Sequence, residues 1–124
     1  MPESSTTARI VLTTAANTEE ATRLGRALVE ERLVACATLI PAIESIYRWK
    51  GNIESSVESM LLLKTSVTRL SALEARLQAL HSYETPEFLV LPIEAGSHAY
   101  LDWMNQSLSS DSEPDQDDQF LKTE

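Results

Sequence analysis

The sequence predicts one α+β domain, a split β-α-β sandwich in which two β-α-β units interleave and a further helix follows. Three observations point there. Apolar, β-branched runs alternate with amphipathic segments in the order β-α-β-β-α-β-α. The two middle runs are long and separated only by Lys50-Gly51-Asn52, a hairpin turn signal. The 124 residues, 43% of them hydrophobic, suffice for one core and fall short of two ordinary domains.

The first strand is read over Ala8–Thr14, ARIVLTT, with a flexible start before it at 1–7. Asn17 then caps a helix and Glu20 closes a capping box. That helix runs to about Leu33, turning Ala21, Leu24, Ala27 and Leu28 inward and leaving Glu20, Arg23, Glu30 and Glu31 for water. Val34 to Lys50 is long for a strand, and Pro41 lacks a ladder donor, so a bend, bulge or edge position is expected there.

Ile53 to Ser66 is the returning strand. With Gly51 and Asn52 as central turn residues, Lys50 pairs with Ile53, Trp49 faces Glu54, Tyr47 faces Ser56 and Ser45 faces Glu58. One ribbon face then carries Tyr47, Trp49, Glu54, Ser56 and Glu58, with Lys64 further along it. A two-stranded ribbon bearing Tyr and Trp is marginal in water, so either the last helix folds over it or another copy of the chain covers it.

A second helix spans Thr68 to His81, with Leu70, Leu73, Leu77 and Leu80 at helical spacing. Pro86 breaks the chain, Glu87–Ile93 forms the fourth strand, and Ser97 caps a last helix facing Tyr100, Leu101, Met104 and Leu108 inward. This order is the ferredoxin-like β-α-β-β-α-β plan with an extra C-terminal helix. The domain ends near Leu108. Residues 109–124 hold Asp111, Glu113, Asp115, Asp117, Asp118 and Glu124 against Lys122, a composition of disordered segments.

A net charge of −9 argues against a nucleic-acid surface. No apolar run is long enough to span a bilayer, and MPESSTTA lacks the pattern of a secretory signal. The single cysteine, Cys36, fits the reducing cytoplasm and reads as packed core. No Gly-rich phosphate loop, nucleophile elbow or metalloprotease His pair is present, so a non-catalytic protein is expected. Glu58 and Lys64 flank the apolar Met60–Leu63 run and need partners, as a structural ion pair or as a polar pair lining a ligand cleft. His81 ends a helix, where a protonated imidazole suits the macrodipole. His98 reads as a first-turn surface residue.

ACATLIPAIESIYRWKGNIE, Glu58 followed by LLLKT, HSYETPEFLVLPI and YLDWMNQSL together resemble the CutA family of divalent-cation tolerance proteins, over about Arg9 to Leu108. The matched positions are Cys36, Tyr47, Trp49, Gly51, Glu54, Glu58, Lys64, His81, Tyr83, Pro86 and Glu87. The resemblance implies a fold related to PII signalling proteins and a homotrimer whose hairpins complete sheets on neighbouring subunits. It implies involvement with copper or another divalent cation, with His81, Glu58 and Glu87 as candidate ligands, and an intersubunit cleft at Tyr47, Trp49, Lys64 and Tyr83. Where some members carry a cysteine after the first strand, this chain has Thr13, which departs from a thiolate copper site. Two other readings stand beside it: a PII-like module holding a small anionic or nucleotide ligand in the intersubunit clefts, and a structural trimer that holds another protein.

Overall fold

The computed structural model describes residues 6–109. Its elements are β1 (Ala8–Ala15), α1 (Thr18–Glu30), β2 (Cys36–Trp49), β3 (Asn52–Ser66), α2 (Leu70–Leu80), β4 (Leu89–Pro92) and α3 (His98–Leu108), with a 3₁₀ turn at Val67–Arg69 leading into α2. The strands form one sheet in the order β2-β3-β1-β4, every neighbouring pair antiparallel. That is the ferredoxin-like order expected. Residues 110–124 of the expected acidic tail and 1–5 of the N-terminal segment lie outside the described residues.

One sheet face is covered by α1 and α2. Val11, Ala15, Leu61 and Leu63 pack there against Ala21, Leu24 and Leu28 of α1 and Leu73 and Leu77 of α2, all buried. A fully buried leucine contributes roughly 1.5–3 kcal/mol, so this layer is the main source of stability. Gly25 lets the two layers close: a Cβ there would stand 3.1 Å from that of Ala37.

The opposite face is only partly covered. α3 packs at one end of it, Met104 and Leu108 against Ala8 and Ala35. It does not reach the hairpin, where Tyr47 is 43% and Trp49 57% exposed. On the other face of the ribbon, Ile46, Ile53 and Val57 are also exposed, as are Leu89, Val90 and Leu91 on the edge strand β4.

Asn17 caps α1 as expected, its Oδ1 accepting the Glu20 N–H at 2.8 Å. The helix stops at Glu30 rather than Leu33 because Arg32 takes a left-handed φ of 58° and the Leu33 and Val34 N–H groups fold back onto the Leu28 carbonyl. The irregularity expected at Pro41 is present: the β2–β3 register shifts between Ile40 and Ile43, and Ala42 has φ 59°.

The hairpin turn corrects the expected register. Its central residues are Lys50 and Gly51, with φ 51° and 85°, and Trp49 pairs with Asn52, Tyr47 with Glu54 and Ser45 with Ser56. Two positive φ values mark a type I′ turn, whose twist matches the strands it joins. The displacement is two residues, an even number. Every side chain therefore keeps the ribbon face assigned to it, though not the partner.

The turn supplies a test. A Cβ on Gly51 would meet nothing within 4 Å, so the cost of a side chain there is conformational. Gly51→Val is expected to lower stability by about 1 kcal/mol, and Lys50→Asn to raise it by a few tenths, in urea denaturation. An unchanged midpoint for Gly51→Val would rule out the type I′ turn.

Candidate functional site

A cleft of about 880 Å³ opens between the hairpin and the segment joining α2 to β4. Tyr47, Trp49 and Glu58 come from the ribbon, Tyr83 and Glu87 from the connecting segment, and Thr14 from the end of β1. The connecting segment has no regular structure of its own, so its placement needs anchors.

Two buried side chains supply them. His81, the residue after α2, places Nε2 2.7 Å from the Thr14 carbonyl, while its Nδ1 accepts the Tyr83 N–H at 3.0 Å. The ring therefore carries its proton on Nε2 and is neutral in this arrangement. It also stacks against Tyr83, with centroids 4.7 Å apart. The protonated helix-end role expected of His81 does not hold, because Nδ1 must accept.

Glu20 is the second anchor. It was expected to face water, yet it is 3% exposed. Its carboxylate accepts the Ser82 N–H at 2.8 Å, the Ser82 hydroxyl at 2.9 Å and the Ala16 N–H at 3.2 Å. His81 Nδ1 lies 3.6 Å away. Burial alone would raise the Glu20 carboxyl, but the Ser82 and Ala16 hydrogen bonds, aided by the nearby imidazole, outweigh it and hold the group below its ordinary value. The legible signal was spacing: Glu20 stands four residues before Leu24 and eight before Leu28, on the buried stripe of α1.

Within the cleft, the Tyr83 hydroxyl donates to Glu58 Oε2 at 2.5 Å. Burial first, then this bond and the charge of Glu58, push the Tyr83 phenol well above its usual range, so it stays a donor. Glu87 is partly buried, and burial followed by the charge of Glu58 raises its carboxyl above the ordinary value. The cleft lining carries Glu58, Glu84 and Glu87 and no basic side chain.

The structure thus brings together Glu58, Glu87, Tyr47, Trp49 and Tyr83. His81 lies behind them, with both ring nitrogens turned to the backbone. Lys64 is not in this cleft: its Nζ lies 3.4 Å from Thr38 Oγ1, 3.9 Å from Cys36 Sγ and 5.9 Å from the Tyr100 ring centroid. No ion pair joins Glu58 and Lys64 among the described residues. Cys36 is half-buried and Thr13 fully buried. His98 is exposed on the first turn of α3, 3.3 Å from Asp102. Among the described residues no group of three or more His, Cys, Asp or Glu side chains is placed to hold a metal ion.

A family model described as CutA1 divalent ion tolerance protein matches residues 9–107. The divalent-cation tolerance protein CutA of Thermus thermophilus is 43% identical over 98 residues, covering 79% of this chain and 95% of that protein. Its counterpart from Escherichia coli O45:K1 is 45% identical over 105 residues, covering 85% and 94%. The crystal structure of CutA from Xylella fastidiosa matches with a TM-score of 0.82 and 36% identity, over 84% of this chain and all of that one.

The Glu20 anchor carries a stability test with a defined sign. A carboxyl held below its unfolded value of about 4.5 stabilises the fold above that pH, and the contribution is lost as pH falls through the folded value. Glu20→Gln is expected to cost about 2 kcal/mol at neutral pH in urea denaturation and to flatten the acid limb of stability below pH ~5. An acid limb as steep as that of the wild type would remove Glu20 from this role.

Proposed function

The chain belongs to the CutA1 divalent ion tolerance family, and from that premise we propose that it acts as a non-catalytic homotrimer that takes up a divalent cation at the Glu58–Glu87 carboxylate pair. One observation carries the reading: two carboxylates share a cleft whose lining has no basic side chain, and the charge of Glu58 raises the carboxyl of Glu87. A divalent cation relieves that repulsion. Water and donors from a neighbouring subunit complete the coordination, as is usual for hard cations bound through one or two carboxylates.

The donors available on this chain are oxygens, which favour manganese- or calcium-like ions. Copper, which prefers imidazole nitrogen, would need His81 to give up its bonds to Thr14 or Tyr83, or a donor from another subunit. His81 then serves chiefly as the positioning group for the segment that carries Glu87.

The trimer is supported by the surface left bare. Ile46, Ile53 and Val57 on one ribbon face, Tyr47 and Trp49 on the other, and Leu89 to Leu91 on an open sheet edge are too much exposed apolar surface for a stable monomer. Head-to-tail closure around a three-fold axis covers all of it with one repeated contact. The single cysteine, Cys36, is consistent with a cytoplasmic location.

Sedimentation or native mass spectrometry is expected to give three times the 13.8 kDa chain mass, and a single-chain mass would refute the assembly. Titration with Mn(II) is expected to saturate, with Glu87→Gln weakening uptake about tenfold or more. Uptake should strengthen as pH rises through the elevated Glu87 value, since the cation needs the ionised carboxylate. Binding indifferent to both Glu87→Gln and pH would sink the site.

A further inference from the structure

The cleft is far larger than one metal ion needs, and its polar atoms are arranged for a different kind of cation. Thr14, at its floor, is 6% exposed, lines the cleft, and its hydroxyl has no hydrogen-bond partner among the described residues. Glu87 likewise has no hydrogen bond or ion pair among them. Glu58 gives Oε2 to Tyr83 and keeps Oε1. A buried hydroxyl facing a cavity without a partner is a cost that a ligand bearing N–H donors removes.

A primary ammonium has three N–H donors, and Thr14 Oγ1, Glu58 Oε1 and the Glu87 carboxylate are three acceptors. A quaternary ammonium has no donor for Thr14. Beyond these acceptors the lining turns aromatic, with Tyr47 and Trp49, before reaching the third carboxylate, Glu84. Indole and phenol rings hold both alkyl chains and ammonium groups. Trp49 already engages one such group of its own chain, Lys50 Nζ, at 5.9 Å from the ring centroid.

We propose that the cleft binds a linear organic diammonium of the alkane-diamine class, with one ammonium held by Thr14, Glu58 and Glu87 and the alkyl chain laid along Tyr47 and Trp49 toward Glu84. This rests on the reading of the cleft as a cation site and names an organic divalent cation as its occupant. The two carboxylates supply the charge, while Thr14 and the aromatic wall select the molecule.

The test is calorimetric titration of the full chain at 0.15 M salt with 1,4-diaminobutane, butylamine, tetramethylammonium and Mn(II). The diamine is expected to bind at least about tenfold more tightly than either organic monocation. Thr14→Val and Glu87→Gln are each expected to weaken it about tenfold, whereas Thr14→Ser, which keeps the hydroxyl, binds like the wild type. Mn(II) uptake should respond to Glu87→Gln and not to Thr14→Val. Urea midpoints and oligomeric mass of each variant separate lost binding from lost folding. A diamine bound no better than butylamine, or unaffected by Thr14→Val in a folded protein, overturns the proposal. So does diamine uptake that vanishes on removal of residues 110–124. Mn(II) uptake dependent on Glu87 without diamine uptake overturns the diamine while leaving the cation site standing; uptake of neither overturns both.

Discussion

The cleft depends on a carboxylate buried where helix α1 begins. Burying Glu20 costs several kcal/mol unless its oxygens are fully partnered, and the partners lie on two separate pieces of chain: Ala16 after β1 and Ser82 after α2. Satisfying one acid therefore fixes the start of the connecting segment against the start of the first helix. His81 works alongside it, with one nitrogen to the Thr14 carbonyl and the other to the Tyr83 N–H. Tyr83 can then reach Glu58 on a ribbon that makes no other polar bond to this segment among the described residues. Remove the buried pair and the cleft loses one wall, though the helix-covered face of the sheet keeps its leucines.

The ribbon sets the other wall, and its geometry follows from parity. Side chains alternate along a strand, so a turn displaced by an even number of residues leaves both faces as they were. This is why Tyr47, Trp49 and Glu58 share a face although the turn centres on Lys50 and Gly51 rather than Gly51 and Asn52. Parity does not convey proximity. Lys64 has the same parity as Glu58 but stands six residues on, roughly 20 Å along an extended strand. It ends beside Cys36, Thr38 and Tyr100, where α3 covers the sheet.

What was legible in the sequence divides along the same line. Local signals located nearly every element: the Asn17 cap, the irregularity at Pro41, the Ser97 cap and the leucine spacing of α2. Positions set by long-range contacts were less accessible. Glu20 reads as a solvated helix residue until Ser82, 62 positions away in sequence, is placed beside it. The neutrality of His81 depends on the Thr14 carbonyl, 67 positions away. The α1 boundary moved because Arg32 turns left-handed to send the chain back into β2, a demand of the sheet that helical periodicity does not express. Glu58, Glu87, Tyr47, Trp49 and Tyr83 were identified as candidates before their geometry was known, but the motifs could not show that Lys64 stands apart from them.

That separation settles the sign of the cleft. With Lys64 beside Tyr47 and Trp49, the lining would have mixed charge and could meet an anionic ligand; without it the lining carries carboxylates alone. Like charges held together raise the free energy of the empty site, and the elevated carboxyl of Glu87 expresses that cost. A cation recovers it, so cation binding and the stability of the surrounding structure are linked by mass action. The parts linked are also the least supported: the connecting segment rests on two anchors, and the ribbon leaves both of its faces exposed. A cation that draws Glu58 and Glu87 together consequently favours one placement of hairpin against loop, and through the hairpin one arrangement of whatever covers Tyr47 and Trp49.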